Sequence, residues 1–316
     1  MDRQGAISGG RQITAKSVTE WKNMMKYLVA TAILGAMNVA ARGVAAPAEV
    51  PEAIYSEPAP DAANPARMAV LHIPTHGVEI NGIAYIPAGA GPHPAVILCH
   101  GLPGNEKNLD LAQALRRAGW TVITFNYRGS WGSPGNYRFT QNLEDVDAVL
   151  AYARDPANAA KLRMDPARIA LVGHSMGGWA TALTAAHDKK LIGAIMISAG
   201  NIGLVGSMPR ADAIKRMTDN GLEALAGTSP EAMADELIAN RDAFDFSKAA
   251  PRLVDTKLFV LTSDDGLAFM SDALSAGIRA AHGTRLTTLH VATDHGWSDK
   301  RIRLESEIIN WLEALK

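Results

Sequence analysis

The sequence predicts an α/β protein with a mostly parallel central sheet that helices cover on both faces. Two observations support this fold class. Apolar runs of strand length alternate with segments of helical spacing from about residue 68 to the end of the chain. Strands that are separated by helices become parallel neighbours, buried on both faces. The chain has 316 residues, 47% of them hydrophobic, which is enough for one large domain with a substantial core.

The predicted elements follow one another along the chain. The first is a β-hairpin with strands at 68–73 and 82–86 and turn residues at His76-Gly77 and Asn81-Gly82. Further strands are predicted at 95–99, 121–127, 169–172, 193–198, 257–262 and 285–291. Helices are predicted at 108–118, 142–153, 175–187, 269–281 and 302–315.

Residues 201–250 interrupt this alternation, and we interpret them as a helical insertion between two strands of the sheet. They contain two helical stretches, 211–220 and 230–240, and no convincing strand. An insertion at this position is a candidate lid over a site. Its apolar side chains either line an acyl pocket or pack the two helices together, and packing is the favoured interpretation. These side chains are Leu204, Val205, Met208, Ile214, Met217, Met233, Leu237 and Ile238.

The N-terminal region is predicted to lie outside the folded domain. Met24-Met25-Lys26 precedes a short apolar stretch at 27–39, and small residues follow at 43–46. One positive charge, a short apolar core and small residues are typical of a secretory signal peptide. The stretch is too short to span a bilayer comfortably, although an uncleaved membrane anchor is the alternative.

The chain therefore divides into three predicted parts. Residues 1–46 are an upstream extension plus the signal peptide, and 47–66 are a lead-in rich in proline and alanine. Residues 67–316 form the folded domain with the insertion. We expect export, to a periplasm or the medium, and no stable membrane association after cleavage of the signal peptide.

Charge and cysteine content narrow the possible functions. The formal net charge of −1 gives no support for binding nucleic acid, which would require a basic face. Cys99 is the sole cysteine, so an intramolecular disulfide is impossible. Cys99 ends an apolar run, and we expect a buried strand residue there. A thiol nucleophile is the minor alternative.

The motif Gly173-His174-Ser175-Met176-Gly177 is the strongest chemical signal in the chain. An apolar run leads into it, and a helical pattern follows it. In this strand–turn–helix setting a serine is held on a sharp, strained turn with its hydroxyl exposed as a nucleophile. The flanking glycines allow a close backbone approach that a Cβ would block. Ser175 is therefore the predicted nucleophile.

A serine hydroxyl is a weak nucleophile, so a base must lie within hydrogen-bond reach. We choose His295, because it occupies a loop after the last predicted strand and before the last helix. His282, at a helix end, and His290, within a strand, are the other late histidines. We interpret His100 as a structural residue that braces its own loop.

A carboxylate is needed to hold the imidazole in the correct tautomer and to stabilise the imidazolium. The strand at 257–262 leads into Asp264 and Asp265, and we favour Asp265 from its offset after the strand. Asp264 is then a turn or capping residue. Asp294 adjoins His295, but sequence neighbours rarely achieve the required side-chain geometry.

The oxyanion of an acyl-transfer intermediate needs backbone donors on two sides. The N–H of Met176, directly after the nucleophile, is one predicted donor. The loop after the strand at 95–99 supplies the second, and we assign it to Leu102. Pro103 has no N–H and is excluded.

With these residues in place, the chain resembles the α/β-hydrolase superfamily over about residues 68–316. The order Ser175, Asp265, His295, the His100-Gly101 loop and the insertion carry the resemblance. It is nearest to the branch of dienelactone hydrolases, related esterases and prolyl-oligopeptidase-type catalytic domains. The segment 126–132 is similar to a turn of that branch, where Arg128 and Gly132 are expected to be structural.

The resemblance implies an α/β-hydrolase fold and hydrolysis of an ester, thioester or amide through an acyl-enzyme, with no cofactor and no metal. A carboxylesterase acting on a small-molecule ester is the leading expectation. The alternative is a serine peptidase or amidase with a short peptide-like substrate. A non-catalytic binding module on the same fold is the third possibility, because fold alone does not guarantee activity.

Overall fold

The computed structural model describes residues 49–316, so the expected signal peptide and the first lead-in residues lie outside the described residues. The strands are β1 Arg67–Thr75, β2 Val78–Ile86, β3 His93–Cys99, β4 Thr121–Phe125, β5 Met164–His174, β6 Gly193–Ile197, β7 Leu258–Ser263 and β8 Leu286–Val291. The α-helices are α1 Leu109–Arg117, α2 Phe139–Arg154, α3 Pro156–Lys161, α4 Met176–His187, α5 Ile202–Val205, α6 Arg210–Asp219, α7 Pro230–Phe244, α8 Ala268–Ala280 and α9 Arg301–Glu313. Two 3-10 segments, Glu52–Ile54 and Phe246–Arg252, complete the described elements.

The eight strands form one sheet in the order β1-β2-β4-β3-β5-β6-β7-β8. β1 and β2, and β2 and β4, are antiparallel, and every later pair is parallel. The predicted fold class, a mostly parallel sheet with helices, is confirmed. Because parallel strands end at the same edge of a sheet, the loops after β3, β5, β7 and β8 meet at one edge.

Alternate residues of each central strand face opposite helical layers. Val96 and Val172 pack with α1 and α9, whereas Ile97 and Leu171 pack with α2 and α4. This period of two is what a strand buried on both faces requires. The sheet is therefore held from both sides, and its carboxyl edge is a rigid platform for side chains.

The predicted hairpin is present, but one of its two predicted turn positions is wrong. The chain reverses at His76-Gly77, whereas Asn81-Gly82 lies inside β2, with Gly82 opposite Leu71. A Cβ added at Gly82 would lie 2.9 Å from the Thr124 carbonyl oxygen of β4. The glycine here permits close strand packing rather than a turn.

The insertion contains α5, α6 and α7, so the two predicted helices are present at nearly the predicted bounds. Met217 and Met233 are buried in the main core, as the packing interpretation expects. The segment between α6 and α7 hydrogen-bonds with the loop after β4, where the Ala226 N–H lies 2.7 Å from the Gly129 carbonyl. Whether the insertion moves as a lid stays a prediction. Within residues 49–316, no helix is both long and apolar enough to cross a bilayer.

Candidate active site

Ser175 occupies the sharp turn between β5 and α4 at the carboxyl edge of the sheet. Its φ of 58° and ψ of −120° are a strained conformation for a residue with a side chain. The Ser175 N–H donates to the Ile197 carbonyl at 2.9 Å, which fixes the turn against β6. A Cβ on Gly173 would collide with the Gly177 carbonyl, and a Cβ on Gly177 with the Cys99 carbonyl. Both glycines are therefore required by close backbone approach.

His295 and Asp265 form a hydrogen-bonded pair at the same edge. His295 lies in the loop after β8, and its Nδ1 is 2.7 Å from Oδ2 of Asp265 in the loop after β7. The Asp265 side chain is only 3% exposed and also accepts the Leu267 N–H at 2.8 Å. Burial acts to raise the pKa of Asp265, but hydrogen bonds from His295 and Leu267 outweigh it and the pKa is lowered. The carboxylate is thus held ionised beside the imidazole.

The neighbouring acid and the other late histidines have different partners. Asp264 pairs with Nε2 of His290 at 3.0 Å, and its side chain is 63% exposed. Asp294 accepts the Ser298 N–H at 2.8 Å and so shapes the loop that carries His295. His282 is exposed just after α8. Of the alternatives that the sequence left open, the structure brings only Asp265 to His295.

The two predicted oxyanion donors belong to segments that adjoin Ser175. Met176 is the first residue of α4, so its N–H has no partner within the helix. A Cβ added at Gly101 would lie 2.9 Å from the Ser175 Cβ, which places the loop that carries Leu102 against Ser175. His100 braces this loop, with Nδ1 2.7 Å from the Gly101 carbonyl. Ser175 Oγ has no hydrogen bond to another described residue, and such contacts commonly tighten when substrate binds.

A buried polar cluster lies beneath the sharp turn of Ser175, which we call the elbow. This cluster was not predicted from the sequence. The Tyr137 hydroxyl lies 2.9 Å from Sδ of Met176, and the Asn142 amide nitrogen lies 2.9 Å from the same hydroxyl. All three side chains are buried. The cluster fixes the Met176 side chain, and thereby the first turn of α4, from below.

Three further side chains that the sequence did not single out hold the His295 loop. Nε2 of His174 lies 2.8 Å from the His295 carbonyl. Arg301 donates to the next carbonyl, that of Gly296, at 3.1 Å. The buried Trp297 donates from Nε1 to Oγ of Ser198 at 3.0 Å. His174 and Ser198 lie far from this loop in the chain, so no local sequence pattern predicts their contacts with it.

Cys99 is buried at the end of β3, as the sequence predicts. Burial raises the pKa of its thiol to about 12, and a thiolate nucleophile there is disfavoured. No group of three or more metal-ligating side chains occurs among residues 49–316.

The arrangement matches known proteins in fold and in sequence. The sequence model of the alpha/beta hydrolase family matches residues 96–307, about two thirds of the chain. An uncharacterized 31.7 kDa protein of the traX-finO intergenic region in Escherichia coli is 31% identical over 135 residues, which cover 40% of this chain and 46% of that protein. The match thus spans less than half of that relative's length.

Two solved structures share the fold. The carboxylesterase EstE1 from a metagenomic library superposes with a TM-score of 0.58 at 23% identity, covering 80% of this chain and 91% of that one. The acylaminoacyl peptidase of Pyrococcus horikoshii superposes with a TM-score of 0.59 at 16% identity, covering 78% of this chain and 41% of that one. At these identities the likeness concerns the fold. Together with the sequence match, the elbow and the sheet order, it establishes that the chain belongs to the alpha/beta hydrolase family.

Proposed function

We propose that this protein is a serine hydrolase that cleaves carboxylic esters through an acyl-enzyme. The observation that carries the proposal is the 2.7 Å hydrogen bond between His295 Nδ1 and Asp265 Oδ2 beside the strained elbow of Ser175. A buried carboxylate on Nδ1 leaves Nε2 of the ring free to accept a proton. The carboxylesterase EstE1, which shares the fold, gives independent support.

Acylation follows from these roles. Ser175 Oγ attacks the acyl carbon as His295 Nε2 takes its proton, and the carbonyl oxygen becomes an oxyanion between the N–H groups of Met176 and Leu102. Asp265 stabilises the imidazolium that forms. His295 then gives its proton to the departing alkoxide, and the alcohol leaves. Removal of one such oxyanion donor in related chemistry lowers kcat by about 10² to 10³.

Deacylation follows the same steps, with water as the nucleophile. His295 takes a proton from water, the resulting hydroxide attacks the acyl-enzyme, and Ser175 leaves with the proton that His295 returns. The free acid is the second product. All the groups involved belong to this chain, and the substrate is a small-molecule ester.

Hydrolysis of an amide on the same machinery is the second candidate, because the acylaminoacyl peptidase of Pyrococcus horikoshii shares the fold. An amine is a poorer leaving group than an alcohol, so amide cleavage asks more of His295 as a general acid. A non-catalytic binding module is the third candidate. The ionised, buried Asp265 on His295 argues against it, since a binding module has no need of that pair.

The direct test is turnover of a matched panel by residues 48–316. The panel contains p-nitrophenyl esters of rising acyl length and aminoacyl p-nitroanilides. We expect ester turnover that Ser175→Ala abolishes. Ser56→Ala should leave it unchanged, because Ser56 is a partly exposed serine distant from Ser175 in the chain. The acyl-length optimum then sizes the pocket.

Two results would change the proposal. Anilide turnover comparable with that of the esters would favour the peptidase, and no Ser175-dependent turnover of either kind would favour a binding module. Each result concerns a different property, so the panel separates the three candidates.

We further propose that the protein is exported. The support is the pattern at 24–46, with one lysine before a short apolar core and small residues after it. Expression of the full chain with sequencing of the mature N-terminus tests this. A start between about residues 45 and 49 is expected, whereas retention of Met24 or Met1 would contradict export by cleavage.

A further inference from the structure

His174 is the last residue of β5 and directly precedes the nucleophile. Its side chain is 5% exposed, and its Nε2 lies 2.8 Å from the His295 carbonyl oxygen. The two imidazole rings also touch, with centroids 4.7 Å apart and planes tilted by 45°. The side chain of His174 therefore contacts both the imidazole ring and the backbone carbonyl of His295, the predicted base.

The tautomer of His174 follows from its partner. A carbonyl oxygen only accepts hydrogen bonds, so Nε2 must carry the proton and donate it. Nδ1 is then unprotonated, and it is buried with no hydrogen-bond partner among the described residues. The side chain of a buried polar residue thus makes one hydrogen bond, and that bond goes to the loop of the base. Removing one partner of such a pair leaves the other unsatisfied.

We propose that His174 is a positioning residue that ties the loop of the base to the nucleophile elbow through its Nε2–H and the His295 carbonyl. The inference rests on the proposed roles of Ser175 and His295. Asp265 orients the ring of His295 from β7, whereas His174 fixes its backbone relative to β5. Both constraints are needed, because a misplacement of about 1 Å between reacting groups can lower a rate about 10²-fold.

The charge of His174 suits this role. Burial, together with the nearby charge of His295, lowers its pKa to about 4. Of the other charged groups that face His174, Arg301 disfavours its protonation and Asp265 favours it. A neutral His174 does not repel the imidazolium that forms on His295 during acylation, although the rings are in contact.

Two variants separate the hydrogen bond from simple packing. His174→Phe keeps an aromatic ring of similar size and removes the donor. His174→Gln removes the ring and keeps an amide N–H at a similar distance from Cα. With p-nitrophenyl acetate we expect His174→Phe to lower kcat about 10- to 100-fold with KM changed less than about threefold. His174→Gln should recover at least half of that loss on a logarithmic scale.

Amide hydrogen exchange of the peptide 292–300 supplies a readout that does not need activity. Exchange there should be faster in His174→Phe and close to that of the unsubstituted protein in His174→Gln. A kcat for His174→Gln as low as that for His174→Phe would overturn the proposal, and so would unchanged exchange in His174→Phe. If the unsubstituted protein shows no Ser175-dependent turnover, the proposed function fails, while exchange still decides whether His174 holds the loop.

Discussion

Oδ2 of Asp265 accepts a hydrogen bond of 2.7 Å from Nδ1 of His295, although the two residues lie on loops that follow different strands. The adjacent acid, Asp264, points away and pairs with His290 at 3.0 Å. The two acids differ by one position after β7, and this difference determines which carboxylate contacts the imidazole of His295. The two acids therefore form a natural pair of variant and control.

Asp265→Asn is expected to lower kcat by about 10³- to 10⁴-fold, because an amide no longer holds the catalytic tautomer or stabilises the imidazolium. Asp264→Asn is expected to change kcat by less than about threefold, as an exposed substitution outside the site. Steady-state kinetics on one p-nitrophenyl ester measures both. A larger loss for Asp264→Asn would show that the wrong acid has been assigned.

Gly177→Ala is expected to prevent folding or to lower the melting temperature strongly. The new Cβ would collide with the Cys99 carbonyl, and neither backbone can yield without separating α4 from β3. Gly200→Ala is the matched control, since its Cβ would meet nothing nearer than 3.8 Å. Thermal unfolding followed by circular dichroism compares the two. Equal melting temperatures would contradict the packing at the elbow.

Trp297→Phe is expected to loosen the His295 loop. The change removes the 3.0 Å hydrogen bond to Ser198 in a fully buried setting, at about 1–2 kcal/mol of unfolding free energy. We expect kcat to fall several-fold as well, because His295, the proposed base, lies two residues earlier in the same loop. Trp311→Phe is the control. Trp311 stacks on Phe259, and its substitution should leave kcat unchanged. Equal effects of the two substitutions would argue that Trp297 only fills space.

The stability of the folded protein is expected to fall as pH rises, because of the buried carboxyl group of Glu305. It lies 6% exposed on α9, and burial, with the nearby charge of Asp110, raises its pKa to about 7 from 4.5. The folded chain therefore binds more protons than the unfolded chain between these two values. Its stability contribution falls as pH rises through that window and stays low above it.

Glu305→Gln removes this titration and keeps the shape. At pH 8 the variant should be more stable than the unsubstituted protein, by about 1–3 kcal/mol. At pH 4 the two should be nearly equal, because Glu305 is then protonated when folded. Urea unfolding at both pH values tests this. Equal stability at pH 8 would show that the carboxyl is not destabilised by burial.

Much of the framework can be read from the sequence because its signals are local. The apolar runs predict every strand from β3 to β8, and the glycines around Ser175 predict the elbow. The prediction of a turn at Asn81-Gly82 is wrong for an equally local reason. A glycine before an apolar strand looks like a turn signal until the neighbouring strand is known, and here Gly82 makes room for the Thr124 carbonyl.

The supports of the site could not be predicted, since they join distant parts of the chain. His174 and His295 are 121 residues apart, and Trp297 and Ser198 are 99 apart. Each pair exists because parallel strands bring their carboxyl ends to one edge of the sheet. The residue types were visible in the sequence, but their partners depend on the register of β5, β6 and β8.

The measurement that tests the central claim most directly is covalent labelling of the serine. The unsubstituted protein is treated with a fluorophosphonate probe, digested, and analysed by mass spectrometry, with Ser175→Ala in parallel. The proposed mechanism predicts one adduct, on Ser175, formed in step with the loss of ester turnover, and no labelling of the variant. An adduct on another residue, or ester turnover that survives in Ser175→Ala, would contradict the assignment of Ser175 as the nucleophile.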